Sequence, residues 1–258
     1  MTANNYDQLN IDTMEMVYGK GYLSAGGDEE VISVFDQIDI ANCRVLDIGC
    51  GLGGAATAIA QQLNPGEVVG FDIDEMVLSR AQSLVEQKNL GDMVSLIKGE
   101  PGPLPFADNE FDVIYVTAVS CHMKDLSAFF AEVFRVLSKG GWIVGSEWMI
   151  RENNQAFRNF DHLLQQRGLN FYFVSAAEFT TALNRAGFSK ISLHDRTDAF
   201  TEFSRHGRDR VMAELKPALL SSLGSAGYQD FLHWTEVRYS GLANGGLLQQ
   251  HFRGQKLD

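Results

Sequence analysis

The chain has 258 residues, 45% of them hydrophobic and 21% charged, values at which one large domain can bury a sizeable core. Its formal net charge of −12 argues against a nucleic-acid partner, because phosphate contacts need a basic surface. No apolar run approaches the roughly 20 residues that span a bilayer, Met1 to Asp12 carry no leader pattern, and Cys43, Cys50 and Cys121 lack metal-ligand spacing, so the expectation is a cytoplasmic monomer with reduced thiols, no membrane partner and no metal.

In chain order, residues 28–39 read as a helix with acids in its first turn. Residues 44–48 (RVLDI) read as a buried strand ending in an acid, followed by GCGLGG and an apolar helix, AATAIAQQL. Residues 67–71 form a second strand closed by Asp72, and Asp74 caps a helix with Val77, Ala81 and Leu84 on one face. Strands at 93–98 and 111–116 follow, then a helix capped by Asp125 in which Leu126, Phe129, Phe130, Val133 and Leu137 recur at helical spacing. Gly140-Gly141 turns the chain into a fifth strand, WIVGSEW. Beyond it, helices are expected at 154–166, 176–186 and 200–222, with strands near 189–194 and 247–254. Alternation of strand and helix over about 150 residues predicts a doubly wound, mostly parallel α/β sheet that binds its ligand at the strand ends near the topological switch.

The strongest local signal is Asp47-Ile48-Gly49-Cys50-Gly51-Leu52-Gly53-Gly54. Glycines here let backbone approach a ligand and allow positive φ. Gly49, Gly51 and Gly54 also satisfy the dinucleotide pattern G-x-G-x-x-G, so the loop alone leaves a nicotinamide cofactor open. Three acids favour S-adenosylmethionine instead. Asp47 stands before the glycines, where it repels a pyrophosphate and suits a cationic ammonium or sulfonium. Asp72 suits a ribose diol, and Glu100 an adenine amino group.

With these residues the chain resembles the class I methyltransferases, and among them the phosphoethanolamine or phosphobase N-methyltransferases and the sarcosine and dimethylglycine methyltransferases. Tyr18-Gly19-Lys20-Gly21-Tyr22-Leu23-Ser24-Ala25-Gly26-Gly27 is similar to their F-G-x-G-Y-x-S-x-G-G segment. Ile114-Tyr115 through His122, Gln166-Arg167-Gly168, and Ala186-Gly187-Phe188 through Asp195-Arg196-Thr197-Asp198 resemble further segments of the same group. The resemblance implies a Rossmann-like, seven-stranded sheet in one domain: an N-terminal lid (1–27), a cofactor core (28–150) and a helical substrate cap (151–175 and 197–246). It implies S-adenosyl-L-methionine held by Tyr18, Ser24, Gly26, Asp47, Gly49, Gly51, Gly53, Asp72, Ile73, Glu100, Pro101 and Thr117. It also implies a catalytic pair, Tyr6 and His122, with substrate contacts from Arg167, Arg238, Trp148 and Tyr22. Ala118, Trp148, Leu169 and Met14 depart from the group, standing where it has an aspartate and three pocket tyrosines.

The implied reaction is methyl transfer to a small soluble amine. An amine must lose a proton before it attacks, and a histidine with a pKa of about 6.5 suits that task. Aromatic faces at Trp148, Tyr18 and Tyr172 suit the cationic substrate, and Arg167 suits a carboxylate or phosphate. Plainer readings stand beside these: His122 as a structural histidine, Arg167 as a helix-end charge, and Trp148 as core. The competing functions are methylation of an O, S or C nucleophile, and a non-catalytic cofactor-binding subunit.

Overall fold

Val45, Leu46 and Ile48 lie in the central strand β1 (Arg44–Ile48), where both sheet faces are covered and a near-continuous apolar run is the stable solution. The structure is a computed structural model that describes residues 7–100 and 102–257. Strands β2 (Glu67–Asp72), β3 (Val94–Lys98), β4 (Phe111–Thr117), β5 (Leu137–Ile150), β6 (Ser189–Asp195) and β7 (Leu247–Gln255) complete a seven-stranded sheet in the order β3-β2-β1-β4-β5-β7-β6. Only β7 runs antiparallel to its neighbours, β5 and β6. Strand order reverses between β1 and β4, which opens a crevice at their C-terminal ends.

Helix α1 (Gln8–Tyr18) precedes α2 (Gly27–Val34) and α3 (Gly54–Gln62). Val31, Phe35, Ala56 and Ile59 pack on one sheet face against Tyr115 and Val144. Helices α4 (Glu75–Gln87), α5 (Leu126–Val136), α6 (Gln155–Gln166) and α7 (Ala176–Ala186) follow. Phe130 of α5 and Phe179 of α7 join Phe252 in the core of the opposite face, each such burial contributing about 1.5–3 kcal/mol. The caps read from sequence form: Asp74 accepts from the Met76 and Val77 amides, and Asp125 from that of Ala128. Ser175 and Glu178 make a capping box on α7.

Several expected boundaries move. Helix α2 ends at Val34, short of the expected 39, and Gln37 adopts a positive φ of 65°. Leu137 begins β5 rather than ending α5, pairing with Phe111 before an irregularity shifts the register to Trp142 opposite Val113. The expected helix at 200–222 is two elements, α8 (Thr197–Met212) and α9 (Lys216–Ala243), because Pro217 fits a helix only at its first turn. Helix α9 bends at Gly224 and continues over residues that sequence periodicity left unassigned. Helices α6, α8 and α9, with α1, form a layer over the crevice, packed through Phe160, Leu164, Phe200 and Leu242 on one side and Val17, Val211, Tyr228 and Phe231 on the other. Among the described residues no helix is long and apolar enough to cross a membrane.

Candidate active site

The crevice is one cavity of about 560 Å³ running from the glycine loop to the layer of helices above it, within the range of small-molecule sites. Its first half is built by β1 and β2. Asp47 lies opposite Gly70 on β2 and Tyr115 on β4, and its side chain is buried. Its Oδ2 has no hydrogen-bond partner among the described residues. Burial, reinforced by the charge of Asp72, pushes its carboxyl up to about 8. An orphaned buried carboxyl oxygen beside a glycine loop fits a cationic donor, such as the ammonium of a bound methionine moiety, whose charge favours the ionised form.

Asp72 ends β2 and receives the Gly51 amide at 2.9 Å and the Asp74 amide at 3.0 Å. These bonds tie the loop to the strand end and leave lone pairs for a diol. Burial raises this carboxyl too, although the backbone bonds oppose the shift. Gly49 has φ 72°, and a Cβ there would strike the Val119 side chain. Gly54 donates its amide to the Gly21 carbonyl at 3.1 Å, a backbone approach that any side chain at Gly54 would block. Ile73 also lines the cavity and is 53% exposed, offering a flat apolar face suited to a base. The residues present therefore fit S-adenosylmethionine.

The N-terminal segment closes over this half. Ile11 is fully buried against Leu52 and Val77. Arg80 of α4 pairs with Asp12 at 2.5 Å, and Glu15 accepts the Gly21 amide at 2.8 Å. Glu30 of α2 also lines the cavity, receiving His251 at 2.6 Å and Arg196 at 2.7 Å. Burial alone would raise the Glu30 carboxyl, but these two partners overcome it and bring it to about 2.

The second half is walled by β4, β5 and the overlying helices. After β4 the chain turns through Ala118 at a positive φ of 54° into a single 3₁₀ turn, Ser120–His122. Glu147 on β5 is 1% exposed and pins this turn, accepting the Ser120 amide at 2.9 Å and its hydroxyl at 2.5 Å. The result is a His122 ring facing the cavity. Desolvation lowers its pKa below the usual imidazole value, so the neutral form prevails near neutral pH. From His122 a run of aromatic rings continues: Phe171 at 4.4 Å, Phe173 at 5.5 Å from Phe171, Phe160 at 6.0 Å from Phe173, and Trp234 at 5.8 Å from Phe160. Trp148 joins this run at Phe160, 6.4 Å away, and also meets Phe200 at 6.0 Å. Arg238 of α9 is 5% exposed and lines the same cavity.

Of the expected cofactor residues, Ser24, Asp47, Gly49, Gly51, Asp72, Ile73 and Thr117 line the cavity. Four do not. Tyr18 stacks under Arg238, because the apolar seam of α1 with α9 claims its ring. Gly26 packs behind the wall against Glu30, and Gly27 lines the cavity in its place. Gly53 is the α3 N-cap against Ala81, and Glu100 is exposed outside the cavity. Of the expected substrate residues, Trp148 and Arg238 face the second half. Tyr22 lies at the glycine-loop end, its hydroxyl donated to Asp28 at 2.5 Å. Arg167 is outside the lining: its guanidinium pairs with Asp230 at 2.6 Å and rests on the Trp234 ring. Tyr172 is also outside it. Tyr6 and Pro101 lie outside the described residues. The sequence reading missed Glu30, Phe171, Phe173, Phe200 and Trp234, of which Trp234 alone had a local signal, its four-residue spacing from Arg238.

Residues 46–145 match the family model described as a methyltransferase domain. Phosphoethanolamine N-methyltransferase 1 of Arabidopsis thaliana is 30% identical over 228 residues, covering 88% of this chain and 45% of that protein. Sterol 24-C-methyltransferase erg6 of Aspergillus fumigatus is 32% identical over 166 residues, covering 60% of this chain and 43% of that protein. The chain thus spans less than half the length of these relatives. Phosphoethanolamine N-methyltransferase 2 of Haemonchus contortus, solved with phosphomonomethylethanolamine and S-adenosylhomocysteine, superposes with a TM-score of 0.88 at 21% identity, over 99% of this chain and 58% of that one.

Proposed function

We propose, from the premise that this chain carries a class I, S-adenosylmethionine-dependent methyltransferase domain, that it methylates the amine nitrogen of a small soluble molecule. The observation that carries this reading is His122, a neutral imidazole opening onto the same cavity as Asp47 and Asp72. Bound in the first half, S-adenosylmethionine supplies an electrophilic methyl group. The chain's own residues do the rest. Asp47 accepts hydrogen bonds from the ammonium of the amino-acid moiety, Asp72 accepts from the diol, and Ile73 covers the base. The aromatic walls of the second half exclude water and hold the nucleophile in line, the main requirement of a displacement at a methyl carbon. His122 takes the proton that an ammonium must lose before its lone pair can attack. Tyr6 is a candidate partner for His122 from the N-terminal segment. Free thiols at Cys43, Cys50 and Cys121 favour a cytoplasmic setting.

Transfer to an O, S or C nucleophile is the second reading. It is favoured by the apolar character of the acceptor half, in which Trp148, Leu169 and Met14 present no hydroxyl. Labelled S-adenosylmethionine with a panel of acceptors separates the two. The panel holds phosphoethanolamine and its mono- and dimethyl forms, glycine, sarcosine, dimethylglycine, phenylalanine, amines without an anionic group, and matched alcohols and thiols. Label on an amine is expected. Label only on alcohols, thiols or carbon would replace the amine reading with the second one.

A further inference from the structure

Buried polar atoms without partners gather at the far end of the acceptor half. Among the described residues they include Arg238 Nε and Nη2, Trp234 Nε1 and Tyr18 Oη, and, outside the cavity lining, Nε of Arg167, whose guanidinium is already paired with Asp230. Arg238 and Trp234 both line the cavity, one helical turn apart on α9. Tyr18 lies beneath the Arg238 guanidinium, 5.0 Å from its carbon to the ring centroid, and holds its plane. Leaving such groups unpaired costs about 1–3 kcal/mol each, more when charged, so the cluster is arranged for a ligand that accepts hydrogen bonds.

The charge and shape of that ligand follow from the same residues. Among the described residues that line the cavity, Arg238 is the only arginine or lysine; Arg167 rests on the Trp234 ring outside that lining, with its charge paired to Asp230. A phosphate monoester carries about 1.5–2 negative charges near neutral pH, and a single guanidinium leaves much of that uncompensated in a buried site. A carboxylate carries one charge. Its two oxygens match the Nε and Nη2 edge of Arg238, the edge left free here. Between His122 and Trp234 stand Phe171, Phe173 and Phe160, so the stretch joining the reacting end to the anion runs along phenyl faces.

We propose that Arg238 and Trp234, with Tyr18 supporting the guanidinium from outside the cavity, form a carboxylate-binding subsite, and that the acceptor is an amine bearing a carboxylate and an apolar body, not a phosphorylated amine. The assignment rests on the amine reading above and narrows it. Calorimetric titration of the full chain loaded with S-adenosylhomocysteine tests it without turnover, using phenylalanine, phenethylamine and phosphoethanolamine as probes. Phenylalanine is expected to bind about tenfold or more tighter than either other probe, as a charge-assisted bidentate pair requires. Arg238→Gln should remove that advantage while changing phenethylamine affinity by less than about threefold. Trp234→Phe, which deletes only the indole N–H at nearly constant shape, should weaken phenylalanine alone. Tighter binding of phosphoethanolamine, no binding of phenylalanine, or an unchanged phenylalanine affinity in Arg238→Gln would each overturn the assignment. The wild-type comparison of probes holds even if a variant fails to fold. Methyl transfer to phosphoethanolamine would leave the amine reading intact and defeat the carboxylate subsite. Arg238-dependent binding of phenylalanine, with label appearing only on non-amine acceptors, would do the reverse.

Discussion

An imidazole that is to take a proton from an ammonium must itself be neutral, and the protein packed around His122 keeps it so by desolvation. This fixes the sign of a pH effect. The base form is lost as pH falls through a pKa below the usual value of about 6.5, so kcat/KM should rise with pH across that window. His122→Ala should lower kcat by about 10²–10⁴-fold, abolish that acid limb and leave cofactor affinity nearly unchanged. A variant of full speed would remove the base assignment. The ribose role proposed for Asp72 has its own test: Asp72→Ala should weaken S-adenosylhomocysteine binding about tenfold or more, since both the diol acceptor and the Gly51 anchor are lost. Equal affinity by calorimetry would undo the ribose role. Both line the cavity as expected, Asp72 from its place at a strand end and His122 from the family resemblance; their roles are what the two variants test. Arg167 was legible as a charge, but nothing local announced that Asp230, 63 positions later, would claim it.

At the scale of elements, two buried acids hold the site together. Glu147 fastens the turn after β4 to β5, accepting from Ser120 and, through its other oxygen, from the Trp148 amide at 3.0 Å. Glu147→Ala leaves those donors buried and unpaired, at about 1–3 kcal/mol each, and should lower both the urea midpoint and kcat. Glu147→Gln keeps an acceptor oxygen and should recover part of both. Glu30 joins α2 to the start of α8 and to β7 through Arg196 and His251. Its carboxyl is held near 2, against a reference of 4.5. Its stabilisation is therefore complete above the unfolded value and is lost as pH falls from 4.5 toward 2, with a size on the order of 1–3 kcal/mol. Urea melts of Glu30→Gln should differ from the wild type by a constant amount above about pH 5 and converge only as pH falls to about 2. A difference independent of pH would mean that packing, not charge, is what Glu30 contributes.

For the molecule as a whole, the cavity is a seam between a sheet crevice and a layer drawn from both ends of the chain. Ligands that fill it should stabilise all of its walls together. At a concentration of about 100 Kd, S-adenosylhomocysteine should add about 2.7 kcal/mol and raise the melting temperature by roughly 5–10 °C. No shift in a thermal melt would show that the first half does not hold this cofactor.

Strand and helix periodicity, the glycine loop, Asp47 and Asp72 were readable from sequence. They belong to one contiguous β-α-β stretch, in which chain geometry sets where each side chain falls within a few residues. The chain's bends in the layer above were not, because the break between α8 and α9 and the kink at Gly224 are set by packing against α1 and α6 as much as by local propensity. The acceptor half shows the same division more sharply. His122, Trp148, Phe171, Phe200, Trp234 and Arg238 come from segments scattered over more than a hundred positions. Which of them share a wall, and which cation is left without a partner, is decided by the competition of side chains for burial and for charge, and that competition exists only in the folded chain.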